Sequence, residues 1–320
     1  MSKIAYLYPG QGSQYAGMCR QFYETESAVR KLFDEASELL SYDLAALMFA
    51  SDGRLDETQY TQPAMVAMEL ALTPFVDEVL REKGLSVSFS AGLSLGEYAA
   101  IAEAGGIDAL AAIKTAAERG KLMQNAVPKG EGAMAAVLGA NAQLVQEVVN
   151  GISGVWVANY NCPGQIVITG KKDAVTEACT ALSQKGAKRC VPLNVSGPFH
   201  SPLLKEAGDS LYAVLKEISW KTLSHPYAAN VDAALVTEPS HIAESLRRQV
   251  SSSVLWEQSV KTMLAAGADT FIEIGPGKTL SGFMRKIAKA YAEETGTEAS
   301  GMQVYHVETP EDLSALREKL

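Results

Sequence analysis

Residues 86–98, Ser86-Val-Ser-Phe-Ser-Ala-Gly92-Leu-Ser94-Leu-Gly96-Glu-Tyr98, read as a short strand that runs into a tight turn and then a helix. The turn carries a G-x-S-x-G set, Gly92, Ser94 and Gly96, in the strand–turn–helix context that this pattern requires. Glycines on both sides let the chain turn sharply enough to lift the Ser94 hydroxyl above the end of the strand. Backbone N–H groups at the start of the following helix are then available to an oxyanion. A serine N-cap with glycines for close packing is the other reading of the five residues.

Outward from this turn, residues 1 to 127 alternate short apolar runs with longer helical stretches, the pattern of a mainly parallel sheet covered by helices. Residues 4–8 predict a buried strand entering the glycine-rich turn Pro9-Gly-Gln-Gly-Ser-Gln14. Helices are predicted around 33–47, over 64–83 with a kink at Pro74, and over 111–124. Residues 132–195 read differently: strand 133–138, helix 142–150, strands 155–160 and 165–170, helix 173–185, strand 188–193. That βαββαβ order is the split βαβ of a ferredoxin-like unit. Pro128, Gly130 and Gly132 before it, and Ser196, Gly197 and Pro198 after it, supply hinges. A strand at 270–274, the loop Gly275-Pro-Gly277 and a helix through Tyr291 resume the first pattern. The expected architecture is one α/β domain with a hydrolase-like parallel-sheet core, residues 1–127 and 197–320, interrupted by a ferredoxin-like α+β insertion, residues 128–196.

With 320 residues, 47% hydrophobic and 20% charged, the chain can bury a large core. A net charge of -9 argues against nucleic acid as a partner, since that binding rests on neutralising phosphates. No run is long and apolar enough for a membrane span, and no secretory leader precedes residue 4, so a cytoplasmic protein is expected. Cys19, Cys162, Cys179 and Cys190 lack the spacing of a zinc or redox site; they read as packing thiols, and no metal is expected.

A serine nucleophile needs a base, and the chain offers four histidines. His200 lies in Ser196-Gly-Pro-Phe-His-Ser201, a rigid turn at the junction of insertion and core, where a side chain can point into a cleft. His225 precedes Pro226, His241 opens a predicted helix, and His306 lies in a short apolar run; these read as surface or packing residues.

Gly10-Gln-Gly-Ser-Gln14, Thr61-Gln-Pro63, Gly92-Leu-Ser-Leu-Gly96, Arg119-Gly-Lys-Leu-Met-Gln124, Asn159-Tyr-Asn161, Gly197-Pro-Phe-His200 and Gln249, seven residues before Trp256, stand in a distinctive order. In these motifs, and over nearly its whole length, the chain resembles the malonyl-CoA:acyl carrier protein transacylases. The resemblance implies a Ser94 nucleophile, His200 as base and later acid, and a Gln249 backbone carbonyl that orients His200 in place of a triad carboxylate. It implies an oxyanion hole from the N–H groups of Gln11 and Leu95. It implies that Arg119 pairs bidentately with the malonyl carboxylate, which suits its planar fork. Phe199 matches the bulky residue of malonyl-selective members, and Asn161, Gln62 and Gln14 are expected in the same pocket. No cofactor is implied beyond coenzyme A as the donor's carrier. One departure stands out: the family has histidine before the nucleophile, and here that residue is Leu93.

The implied partners are malonyl-CoA and an acyl carrier protein. Carrier proteins are acidic, so docking on this acidic chain needs a local basic patch. Lys171, Lys172, Lys188 and Arg189 on the insertion, and Arg285, Lys286 and Lys289 on the last long predicted helix, are the candidates. Two alternatives keep the fold: a free-standing acyltransferase of a polyketide synthase, and an acyl hydrolase or esterase with a Ser-Asp-His triad. Asp173 is the acid on offer for the triad, but it reads as a helix N-cap.

Overall fold

A computed structural model describes residues 2–195, 197–296 and 301–320. Ser196, one of the expected hinge residues, lies outside the described residues. The strands in chain order are β1 (Ile4–Tyr8), β2 (Val87–Gly92), β3 (Gly132–Leu138), β4 (Val155–Cys162), β5 (Gln165–Lys171), β6 (Arg189–Pro192), β7 (Tyr227–Ala228), β8 (Leu235–Val236), β9 (Thr270–Ile274) and β10 (Gln303–Val307). They form a six-stranded sheet ordered β10-β9-β1-β2-β7-β8 and a four-stranded sheet ordered β4-β5-β3-β6. In the first, only the β7–β8 pair is antiparallel. In the second, every pair is antiparallel. The fold is therefore the expected α/β one, a parallel-sheet core with a separate antiparallel α+β unit.

β1 and β9 are buried along their whole length, because helices cover both faces of the sheet. β1 and β2 run side by side to Tyr8 and Gly92, so the loops that follow them open at the same carboxyl edge. That edge is where open α/β sheets bind ligands. The four-stranded sheet alternates with period two. Ala135, Val137, Ile166 and Ile168 pack against the helices Ala142–Asn150 and Lys172–Gln184, while Met134, Ala136 and Val167 face the carboxyl-edge loops. β4 is tied to the core by Tyr160 N–H on Val254 O at 2.9 Å and Val254 N–H on Ala158 O at 2.8 Å.

Several elements differ from expectation. The predicted helix around 33–47 is two, Ser27–Leu40 and Leu44–Phe49, broken where Ser41 turns left-handed (φ 63°) and Asp43 caps the second by accepting from Ala46 N–H at 2.8 Å. The helix Thr58–Glu82 begins earlier and runs through both Pro63 and Pro74. Asp173 is not an N-cap: the helix starts at Lys172 and Asp173 sits in its first turn. No described helix is long and apolar enough to cross a membrane.

Candidate active site

The β2 turn is shaped by close backbone approach. A Cβ on Gly96 would lie 2.3 Å from Tyr8 O, and one on Gly10 would lie 2.6 Å from Leu93 O, so only glycine lets the two loops press together. Ser94 takes a left-handed conformation (φ 53°) that a side chain adopts at a cost of about 1 kcal/mol. Asn230, wholly buried, holds it there: its Oδ1 accepts from Ser94 N–H at 2.6 Å and its Nδ2 donates to Gly92 O at 2.8 Å.

His200 reaches the same point from the other side, also with positive φ (59°). Its Nε2 lies 2.7 Å from Ser94 Oγ, and its Nδ1 lies 2.8 Å from Gln249 O. A carbonyl only accepts, so Nδ1 carries the proton and Nε2 is left to take the one on Ser94. Burial, and then the charge of Arg119, push the imidazole down to about 4, which keeps it neutral at physiological pH.

Arg119 is 1% exposed and has no carboxylate partner among the described residues. Its Nη1 donates to Gln62 Oε1 at 2.8 Å, and its Nη2 to Ser94 Oγ at 3.0 Å and Gln249 Oε1 at 2.9 Å. Its Nε–H has no partner among the described residues. The Gln249 amide in turn donates to Ser94 O and to Glu97 Oε2, both at 2.7 Å.

Ser94, His200 and Arg119 line a cleft of about 230 Å³ between the carboxyl-edge loops and the insertion. Gln11, Leu95, Asn161, Phe199 and Gln62 line it too, so every expected site residue but Gln249 and Gln14 faces the cleft, and Gln249 lies directly behind Arg119 and His200. Asn161 is 7% exposed and its Oδ1 has no partner among the described residues. Gln14 is not brought in: it is bound to Gly12 N–H and Asp56 on the outside of the loop. Leu93 lines the cleft and packs on the apolar cluster around Phe283, leaving Ser94 Oγ in contact with both His200 and Arg119. His225 pairs with Glu103 and His306 with Glu308 and Asp312, all away from Ser94. Of the basic candidates, all seven are exposed; Lys289 pairs with Glu293, and the other six have no ion-pair partner among the described residues.

Sequence reasoning missed Asn230 and Glu97. Nothing local marks Asn230, which acts from a loop 136 residues away from Ser94. Glu97 carried a usable signal, an acid placed directly after the G-x-S-x-G turn and at the start of a helix that must be buried.

Residues 5–310 match the acyl transferase domain family. A malonyl CoA-acyl carrier protein transacylase of Bacillus subtilis is 44% identical over 292 residues, 90% of this chain and 91% of that protein. The crystal structure of an acyl carrier protein S-malonyltransferase from Vibrio cholerae superposes with a TM-score of 0.89 at 39% identity, covering 98% of this chain and 100% of that one. A malonyl transacylase solved in complex with the acyl carrier protein of a type II polyketide synthase gives 0.91 at 36% identity, with 100% of both chains covered. The chain belongs to the malonyl-CoA:acyl carrier protein transacylase family.

Proposed function

We propose that this chain transfers a malonyl group from malonyl-CoA to the phosphopantetheine thiol of an acyl carrier protein through an ester on Ser94. His200 Nε2 takes the Ser94 proton as Oγ attacks the thioester carbonyl, and the N–H groups of Gln11 and Leu95 hold the oxyanion. The C–S bond breaks and coenzyme A leaves with the proton from His200. The carrier thiol then gives its proton to His200 and attacks the ester, and Ser94 Oγ leaves with that proton from His200. Nucleophile, base and oxyanion donors are all protein groups, so the proposed reaction needs no metal or organic cofactor.

The observation that carries this reading is Arg119: a buried guanidinium, 3.0 Å from Ser94 Oγ, bound among the described residues to neutral groups alone. A buried charge without a counter-ion costs several kcal/mol, and a malonyl carboxylate supplies the counter-ion where acetyl cannot. Phe199, 5% exposed against the same cleft, leaves little room for a 2-methyl branch. The esterase alternative loses support because His200 Nδ1 faces a carbonyl rather than a carboxylate. The likeness to the type II polyketide transacylase favours keeping polyketide synthesis beside fatty acid synthesis as the pathway served. The same reading assigns the protein to the cytoplasm, supported by four free thiols.

Initial rates with malonyl-CoA varied at several fixed concentrations of holo carrier protein test the proposal. Parallel double-reciprocal lines, with apo carrier inert, are expected. Intersecting lines would mean that no acyl-enzyme separates the two half-reactions.

A further inference from the structure

Arg119 has a carboxylate almost within reach that it does not use. Glu97 is wholly buried at the start of the helix Glu97–Glu103, and the Gln249 side chain stands between the two. An amide has the same shape either way round, so its orientation is set by what it meets. Here both amide hydrogens are spent, on Ser94 O and Glu97 Oε2, and the amide oxygen is therefore turned to Arg119. Glu97 Oε2 is fixed further by Asn230 N–H at 3.3 Å, while Oε1 has no partner among the described residues. A direct Glu97–Arg119 ion pair would satisfy the guanidinium and close the site to an anionic substrate.

We propose that Glu97 is a positioning residue for the substrate's carboxylate, holding Arg119 through the Gln249 amide without pairing with it. The inference rests on the malonyl-transfer reading above and deepens it. The facing charged and titratable groups are Arg119, Tyr98 and Tyr227, with Asp232 beyond, itself paired with Arg248. Burial, which outweighs the hydrogen bonds from Gln249 and Asn230, pushes the Glu97 carboxyl up to about 8. Below that value the acid is neutral and Arg119 keeps its charge for the substrate. Above it the site holds two opposite charges and attracts a third carboxylate less. His200, held down to about 4, does not titrate in this range.

The test is KM and kcat for malonyl-CoA and acetyl-CoA from about pH 6.5 to 9.5 in wild type, Glu97→Gln and Glu97→Ala, with thermal melts to verify folding. Wild type should show a malonyl-CoA KM that rises at least about fivefold above pH 8 with little change in kcat, and Glu97→Gln a flat KM equal to wild type at neutral pH within about twofold. Glu97→Ala, which loosens the amide, should raise malonyl-CoA KM about tenfold at neutral pH and leave acetyl transfer within about threefold. A Glu97→Gln profile that tracks wild type, or an alanine variant that loses malonyl and acetyl transfer equally, overturns the inference. Failure of wild type to transfer malonyl at all overturns the underlying function instead.

Discussion

The surroundings of His200, the proposed base, hold it neutral at rest. Because the neutral imidazole is the active form and its pKa is held down to about 4, the rate of acylation should stay level as pH falls through the usual histidine range. Stopped-flow acylation between about pH 5.5 and 7.5 should vary by no more than about twofold; a tenfold fall per unit below about 6.5 would mean the base is solvated. Asn230 makes a second residue-level prediction. Asn230→Ala removes the acceptor for Ser94 N–H and the donor to Gly92 O. Leaving those groups unpaired should cost about 1–3 kcal/mol in a denaturation experiment. Displacing the nucleophile should lower kcat about 10–100-fold with KM little changed. Ser94, with its glycines, was legible in the sequence because a turn of that kind needs them locally. Asn230 was not, because its contact is made only when β7 is laid beside β2.

At the scale of elements, the helix Thr58–Glu82 carries an unused acid. Glu69 is fully buried, neither carboxyl oxygen has a partner among the described residues, and burial pushes its pKa well above the ordinary value. The folded protein then holds a proton that the unfolded chain releases, so this residue lowers stability increasingly as pH rises above the ordinary carboxyl range. Glu69→Gln should therefore raise the melting temperature, and more at about pH 8 than at about pH 5; an equal shift at both would show that ionisation is not the cause. The insertion's elements were legible nearly residue by residue, since glycines and short polar turns punctuate it, as at Gly139 and Gly164 (φ 76° each). β7 and β8 were not, having two residues each and no room for an alternating pattern. β10 and the helix Pro310–Lys319, with its Thr309 and Asp312 capping box, complete the sheet edge through a signal that was present and unread.

For the whole molecule, the cleft lies between the parallel-sheet core and the antiparallel α+β unit, and both line it: Ser94, His200 and Arg119 on one side, Met134, Asn161 and Val167 on the other. We take residues 128–196 as that inserted unit, as the hydrogen-bond patterns of the two sheets support. Arg285 and Lys286 are exposed on the helix Thr279–Thr295, whose Phe283 lines the cleft, so a carrier protein docked there could deliver its thiol to Ser94. The double change Arg285→Glu and Lys286→Glu should raise KM for holo carrier about tenfold or more, with a weaker salt dependence, and leave acylation by malonyl-CoA unchanged. Loss of both half-reactions would point to a disturbed fold.

We propose that Ser94 carries the acyl group and that Arg119 selects it. The most direct measurement is peptide mass spectrometry after brief mixing with malonyl-CoA or acetyl-CoA, in wild type and Arg119→Ala, followed by holo carrier protein. One malonyl group is expected on the Ser94 peptide of wild type, removed by the carrier far faster than by water, with loss of the malonyl preference in Arg119→Ala. No adduct at Ser94, or an adduct discharged by water as fast as by the carrier, would contradict it.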